Sequence, residues 1–202
     1  MNASPQTVDY PIQRDDASGG NSFSSGAVPA SVRRIPLAQG AIGTFQTLDA
    51  MAQCVRGEIA PDFCGYEKPE IVRFASRLIE QAKNSQQEIE ALFNYAARQI
   101  TYEAHPVDQQ IIQDACRTIQ HKTGDCVSKS VLLATLLSAM DYDVRFVAQY
   151  FNDAQMYSHV YVEAFDKQLG NWIGLDPVAS DKPIGWTQTL PDGGWETPWD
   201  IF

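Results

Sequence analysis

The chain has 202 residues, 44% of them hydrophobic, with 25 acidic against 15 basic side chains and a formal net charge of -10. A chain this long buries about two-thirds of its unfolded surface and needs no metal or disulfide scaffold to fold. The acidic balance argues against a nucleic-acid-binding module, because such modules neutralise phosphates with clustered Lys and Arg.

Residues 1–32 are rich in Ser, Gly, Asn, Ala and Pro without a hydrophobic period. Such a segment buries too little apolar surface to offset its ordering, so it reads as a flexible tail ahead of a single domain over residues 33–202. After the Gly-rich turn at residues 40–43, Thr44 or Thr47 can cap a helix carrying Phe45, Leu48, Met51, Ala52 and Val55. Pro69 suits the first turn of a second helix with Ile71, Val72, Ala75, Leu78 and Ile79 on one face. Ser85-Gln86-Gln87-Glu88 reads as a capping box opening a third helix through Ile89, Leu92, Phe93, Ala96 and Ile100. Asp108 is placed to cap a shorter helix through Ile111, Ile112, Ala115 and Ile119. Between residues 127 and 140 the apolar positions nearly encircle the helix, which marks it as central.

Beyond Met140 the period changes to two. Residues 144–150, 157–165 and 172–175 read as sequential antiparallel strands, and residues 183–202, with Trp186, Trp195 and Trp199, as an irregular segment packed over the sheet. Helices first and a small sheet after them give an α+β class. The apolar run at residues 131–140 is far shorter than the ~20 residues of a membrane span. Residues 1–16 lack a basic region followed by an apolar one, so no secretory leader is expected, and a cytoplasmic setting, or assembly from one, is the default. Cys54, Cys64, Cys116 and Cys126 form no Cys-x-x-Cys pair, and a reducing setting disfavours disulfides, a Cys54–Cys64 bridge being the one alternative. The 3 His residues have no metal-ligand spacing, so neither metal nor cofactor is expected.

Three polar residues fall where chemistry could be done. Cys126 follows Gly124-Asp125 at the start of the buried helix, where unpaired N–H groups and the helix dipole are expected to lower a thiol pKa and favour the thiolate. His159 stands near the start of the second strand and Asp176 at the end of the third, so that pairing of these strands brings them level. A carboxylate orienting an imidazole that takes the thiol proton is the logic of a cysteine triad. The Cys126 N–H is then a natural oxyanion donor, with Gln109, Gln110 and Trp186 as candidates for a second. The plainer readings are a half-buried strand imidazole bonded to a backbone carbonyl for His159, turn initiation for Asp176, packing for Cys54 and Cys116, a structural loop role for His105 and a solvated loop position for His121.

The motif Gly124-Asp125-Cys126 on a Leu- and Ala-rich helix, followed by DVRFV at 143–147, SHVYV at 158–162 and WIGLDP at 172–177, resembles the transglutaminase-like core in its compact bacterial and phage form. The resemblance spans about residues 85–187, with a weaker continuation to residues 34–40 and 43–51. It implies a papain-like fold with Cys126 as nucleophile, His159 as general base and acid, and Asp176 as orienting group. One departure is that Val127 and Ser128 follow the cysteine, where many relatives carry acidic or small polar residues. The family's reactions include transglutamination, peptide or isopeptide hydrolysis and deamidation, so a peptide or protein amide is the expected partner. Hydrolysis is favoured over crosslinking because no accessory domain for an amine donor is evident. The contrasting reading is a non-catalytic assembly protein, such as a phage virion component, that keeps the fold as a scaffold.

Overall fold

The computed structural model describes residues 6–9, 31–36, 43–60, 70–104, 109–151 and 157–202. In chain order these form strands β1 (Gln6–Asp9) and β2 (Ser31–Pro36) and helices α1 (Phe45–Ile59), α2 (Glu70–Leu78) and α3 (Ser85–Asn94), the last running into a π-helical turn at Tyr95–Gln99. Strands β3 (Thr101–Tyr102) and β4 (Gln109–Gln113) lead to α4 (Ala115–His121), β5 (Thr123–Gly124) and α5 (Cys126–Ser138). Strands β6 (Val144–Tyr150), β7 (His159–Asp166), β8 (Asn171–Leu175) and β9 (Trp195–Asp200) follow.

The α+β layout expected from the hydrophobic periods is the one observed, and its centre is α5. Every residue of α5 from Cys126 to Leu137 is buried. The helix packs against α1, α2, α3 and α4 on its helical side and against β6 and β7 on the other. Val131, Leu132, Leu133, Leu136 and Leu137 are fully enclosed, facing Leu48, Met51 and Val55 of α1, Ile89 and Leu92 of α3, and Phe146, Val160 and Val162 of the sheet within one apolar cluster. Each such side chain contributes about 1.5–3 kcal/mol of burial, which is why this helix needs no amphipathic face.

The sheet has the order β8-β7-β6-β9, all antiparallel. β9 corrects the expectation of an irregular C-terminal segment. Pro198 sits opposite Val147 on an edge strand, a place where a missing N–H costs no ladder bond. The C-terminal aromatics pack from there, with Trp195 stacked on Tyr150 at 3.7 Å and Trp199 on Phe45 at 5.5 Å. A second sheet, β1-β2-β4, is antiparallel throughout. Gln6–Asp9 is thus a strand inside the segment read as a tail, since edge pairing uses backbone bonds and needs no apolar period.

Two further local expectations change. Residues 109–113 form β4 rather than the start of a helix, in keeping with the β-branched pair Ile111 and Ile112, and the cap of α4 is Asp114, whose carboxylate accepts from the Arg117 N–H at 2.8 Å. Asp108 and Pro69 lie outside the described residues. For α3, Asn84 and not Ser85 is the cap, accepting from the Gln87 N–H at 2.9 Å. The Ser85 hydroxyl instead donates to the Asp166 carboxylate at 3.1 Å, and Glu88 accepts from the Tyr142 hydroxyl at 2.6 Å, so the two residues of the expected box tie α3 to the end of β7 and to the turn before β6. Among the described residues no helix is long and apolar enough to cross a membrane.

Glu58 at the end of α1 is fully buried and binds α4 and α5 at once. It accepts from the N–H groups of Ala115 and Cys116, each at 2.8 Å, and from the Thr135 hydroxyl at 3.2 Å. Burial, reinforced by the nearby Asp114 charge, pushes its carboxyl up from 4.5 to about 8 against the opposing pull of those N–H groups. The folded chain therefore holds a proton that the unfolded chain has released, and this contribution is full below pH 4.5 and lost as the pH rises through about 8. Urea unfolding of the wild type should show stability falling across that window, with the slope flattened in Glu58→Gln; an unchanged slope contradicts the assignment. Glu58→Ala, which strands the buried N–H groups of Ala115 and Cys116, should cost about 2–4 kcal/mol.

Candidate active site

Cys126 is the first residue of α5, and what precedes it sets its position. β5 pairs in parallel with β3, Tyr102 lying opposite Gly124. Asp125 caps α5, one carboxylate oxygen accepting from the Ser128 N–H and the other from the Gln110 side-chain amide, each at 2.8 Å. Gln110, buried on β4, also donates its amide to the Ile111 carbonyl at 3.2 Å. Both of its N–H groups are then engaged, which removes it as an oxyanion donor and makes it the anchor of the cap instead. The Gln109 side chain lies outside the description, and Trp186 sits in the loop after β8 with Lys182 over its ring at 5.8 Å.

His159 opens β7, opposite Gln149 of β6. Leu175 of β8 is paired with Val162, so the next residue, Asp176, is not level with His159 but reaches it from the end of the strand. The His159 Nε2 to Asp176 Oδ2 distance is 2.8 Å with both residues buried. The other Asp176 oxygen accepts from the Val178 N–H at 3.0 Å, so the residue also makes the turn across Pro177. The imidazole and turn roles are therefore combined in one side chain. With Nε2 committed to the carboxylate, Nδ1 is the ring nitrogen left for a reacting group. The Cys126 sulfur accepts from the N–H of Val160, the residue after His159, which seats the thiol at the start of β7.

The electrostatics correct one expectation. Burial pushes the Cys126 thiol well above its ordinary range, and the charges of Asp125 and Asp176 push it further. The N–H groups of Val160 and Val127 pull it down by less. A cysteine only 2% exposed, with two carboxylates near it, rests as the thiol despite its helix-start position. His121 stands at the exposed end of α4, its imidazole held low by partial burial and by Arg117. Cys54 and Cys116 are buried thiols, while Cys64 and His105 lie outside the described residues. Among the described residues no three His, Cys, Asp or Glu side chains converge as a metal site.

The transglutaminase-like superfamily model matches residues 72–177, just over half of the chain, with Cys126, His159 and Asp176 inside the match. The chain belongs to the transglutaminase-like superfamily. Three solved structures resemble this transglutaminase-like chain. A candidate cysteine protease from Cytophaga hutchinsonii is 18% identical, with a TM-score of 0.48, 75% of this chain covered and 50% of the other. A candidate protease from Parabacteroides distasonis is 13% identical, with a TM-score of 0.50, 86% of this chain covered and 36% of the other. A protein described as a TGase is 11% identical, with a TM-score of 0.40, 70% of this chain covered and 34% of the other. This chain thus spans half or less of the length of each, and at these identities the likeness is one of fold. None of the curated proteins compared with the chain matches it.

Two residues beside the site have roles that differ from or add to those expected, since the sequence offers Gln110 as a candidate oxyanion donor and does not single out Lys129. Gln110 acts through a contact between β4 and the start of α5, which no local pattern announces. Lys129 carries the one signal that could have been used, a charged residue inside an otherwise encircling apolar pattern. Its Nζ donates to the carbonyls of Ala97 at 3.1 Å and Ile100 at 2.8 Å.

Because only the thiolate is alkylated, the rate of iodoacetamide labelling at Cys126 should keep rising past pH 9 in the folded wild type. Asp125→Asn, which removes the second-largest cause of the shift, should speed labelling at pH 8. Peptide mass spectrometry reads both, and a plateau below pH 7 contradicts this charge assignment.

Proposed function

We propose that the protein is a cysteine acyl-transfer enzyme in which Cys126, His159 and Asp176 open an amide or peptide carbonyl through a thioester. The observation that carries this reading is the buried His159–Asp176 bond at 2.8 Å next to a thiol seated on the Val160 N–H. Superfamily membership supports it independently.

The chemistry follows from the resting thiol. As a carbonyl carbon approaches, His159 Nδ1 takes the thiol proton while sulfur attacks, and the new C–S bond leaves the charge on the carbonyl oxygen. The Cys126 N–H at the start of α5 is aimed to stabilise that oxygen. Asp176 steadies the imidazolium so formed, which then gives its proton to the leaving amine as the C–N bond breaks. Water or a second amine attacks the thioester as His159 takes its proton, and His159 returns that proton to sulfur as the C–S bond breaks and the acid or new amide is released. Because Cys126 is held neutral by burial, deprotonation and attack occur together rather than from a standing thiolate.

The substrate in this reading is a peptide or protein amide. Two assays cover the acceptors: cleavage of fluorescent casein for water, and hydroxamate formation from an acylated glutamine dipeptide with hydroxylamine for an amine. Turnover in either should vanish in Cys126→Ala. In Asp176→Asn kcat should fall by about 10²–10⁴-fold, because the ring loses its orienting charge. Turnover that survives in Cys126→Ala overturns the proposal, and folded wild type inert in both assays points to a scaffold role.

A further inference from the structure

Gln149 of β6 is fully buried and stands in a row across the sheet, opposite Glu196 of β9 on one side and His159 of β7 on the other. Residues paired in this way project from the same face. The Gln149 backbone carbonyl also accepts from the Ser158 N–H at 2.8 Å, which ties it to the residue before His159. Its side-chain Nε2 donates to the Gln188 carbonyl at 3.1 Å and to the Glu196 carboxylate at 3.3 Å. These two acceptors fix the orientation of the amide, since the reversed amide would set its oxygen against both. Nε2 is thus drawn to the β9 side, and Oε1 is the end turned toward β7 and His159.

Among the described residues nothing donates to that oxygen, although it is enclosed from water. A buried acceptor without a donor is unfavourable and rare in folded proteins. The polar groups around it are already engaged. The Tyr161 hydroxyl, next on the same face of β7, donates to Glu196 at 3.4 Å, while His159 has Nε2 on Asp176 and Nδ1 left for the reacting groups. Cys126 and His159 are themselves only 2% and 8% exposed, so Oε1 shares the enclosure of the groups that react.

The reaction supplies the missing donor. An amide nitrogen that departs carries its own hydrogen and takes a second from His159 as the C–N bond breaks. An amine that attacks the thioester gives one hydrogen to His159 as the new C–N bond forms and keeps another, and the first passes to sulfur as the C–S bond breaks. We propose that Gln149 is a specificity-determining residue whose Oε1 accepts the hydrogen that this nitrogen keeps. The subsite selects groups that bear an N–H: primary amines as acyl acceptors, and amides other than those of proline as acyl donors.

The inference rests on the acyl-transfer reading, and one experiment separates the two. The full chain is acetylated with p-nitrophenyl acetate, and intact-mass spectrometry follows discharge of the Cys126 adduct by glycinamide and by 2-mercaptoethanol. The thiol carries a single hydrogen on its sulfur and keeps none for Gln149, so it reports general access to the thioester. In Gln149→Leu the ratio of amine to thiol discharge should fall by about threefold to tenfold, the worth of one hydrogen bond. A ratio equal to that of wild type, whether both rates hold or both fall, overturns the proposal. If Gln149→Leu does not fold, Gln149→Met is read in the same way. Wild type that takes no acetyl group at Cys126 retires the acyl-transfer reading, whereas an adduct whose discharge ratio ignores Gln149 retires this inference alone.

Discussion

The site depends on the burial of α5. A helix enclosed on every side satisfies its interior bonds by itself, but its first N–H groups and any polar side chain along it must find partners inside the protein. Those partners are what organise the surroundings. Asp125 serves the Ser128 N–H and is itself held by Gln110 from β4. Lys129 finds the carbonyls at the end of α3. Ser130 donates to the Val160 carbonyl at 3.2 Å, and the Val160 N–H returns to the Cys126 sulfur, so α5 and β7 grip each other through adjacent polar groups. The demand for polar satisfaction around one apolar helix thereby sets Cys126 against the start of β7, the strand whose first residue, His159, meets Asp176.

The same enclosure sets the charge state. A thiol at a helix N-terminus is ordinarily shifted toward the thiolate, and four N–H groups with a dipole are a modest influence. Against them stand near-complete burial and two carboxylates, one of which is the helix cap itself. The cap that holds Cys126 in position therefore also raises its pKa. In the proposed reaction this conflict gives His159 its task, which is to take the thiol proton as the bond forms.

Much of this was legible in the residues. The encircling apolar pattern of α5 and the alternation in β6, β7 and β8 report burial directly, and Cys126, His159 and Asp176 fall at the ends of those elements. What was not legible depended on partners distant in sequence. Residues 109–113 have apolar positions compatible with either period, and pairing with β2 decides for a strand. β9 hides behind Pro198, which only an edge position tolerates. Ser85 and Glu88 match a capping box, yet Asp166 and Tyr142 compete for both side chains. The direction of the thiol shift was missed for a related reason, since a helix start is visible in sequence and the depth of its burial is not.

Acylation of the thiol is the central claim, and intact-mass spectrometry after brief exposure to p-nitrophenyl acetate tests it most directly. The account predicts a single acetyl adduct on the folded protein, mapped to Cys126, discharged by hydroxylamine at neutral pH and formed much more slowly when His159 is replaced by Gln. An adduct that maps to Cys54, Cys116 or a lysine, or one that forms at the same rate without His159, would contradict it.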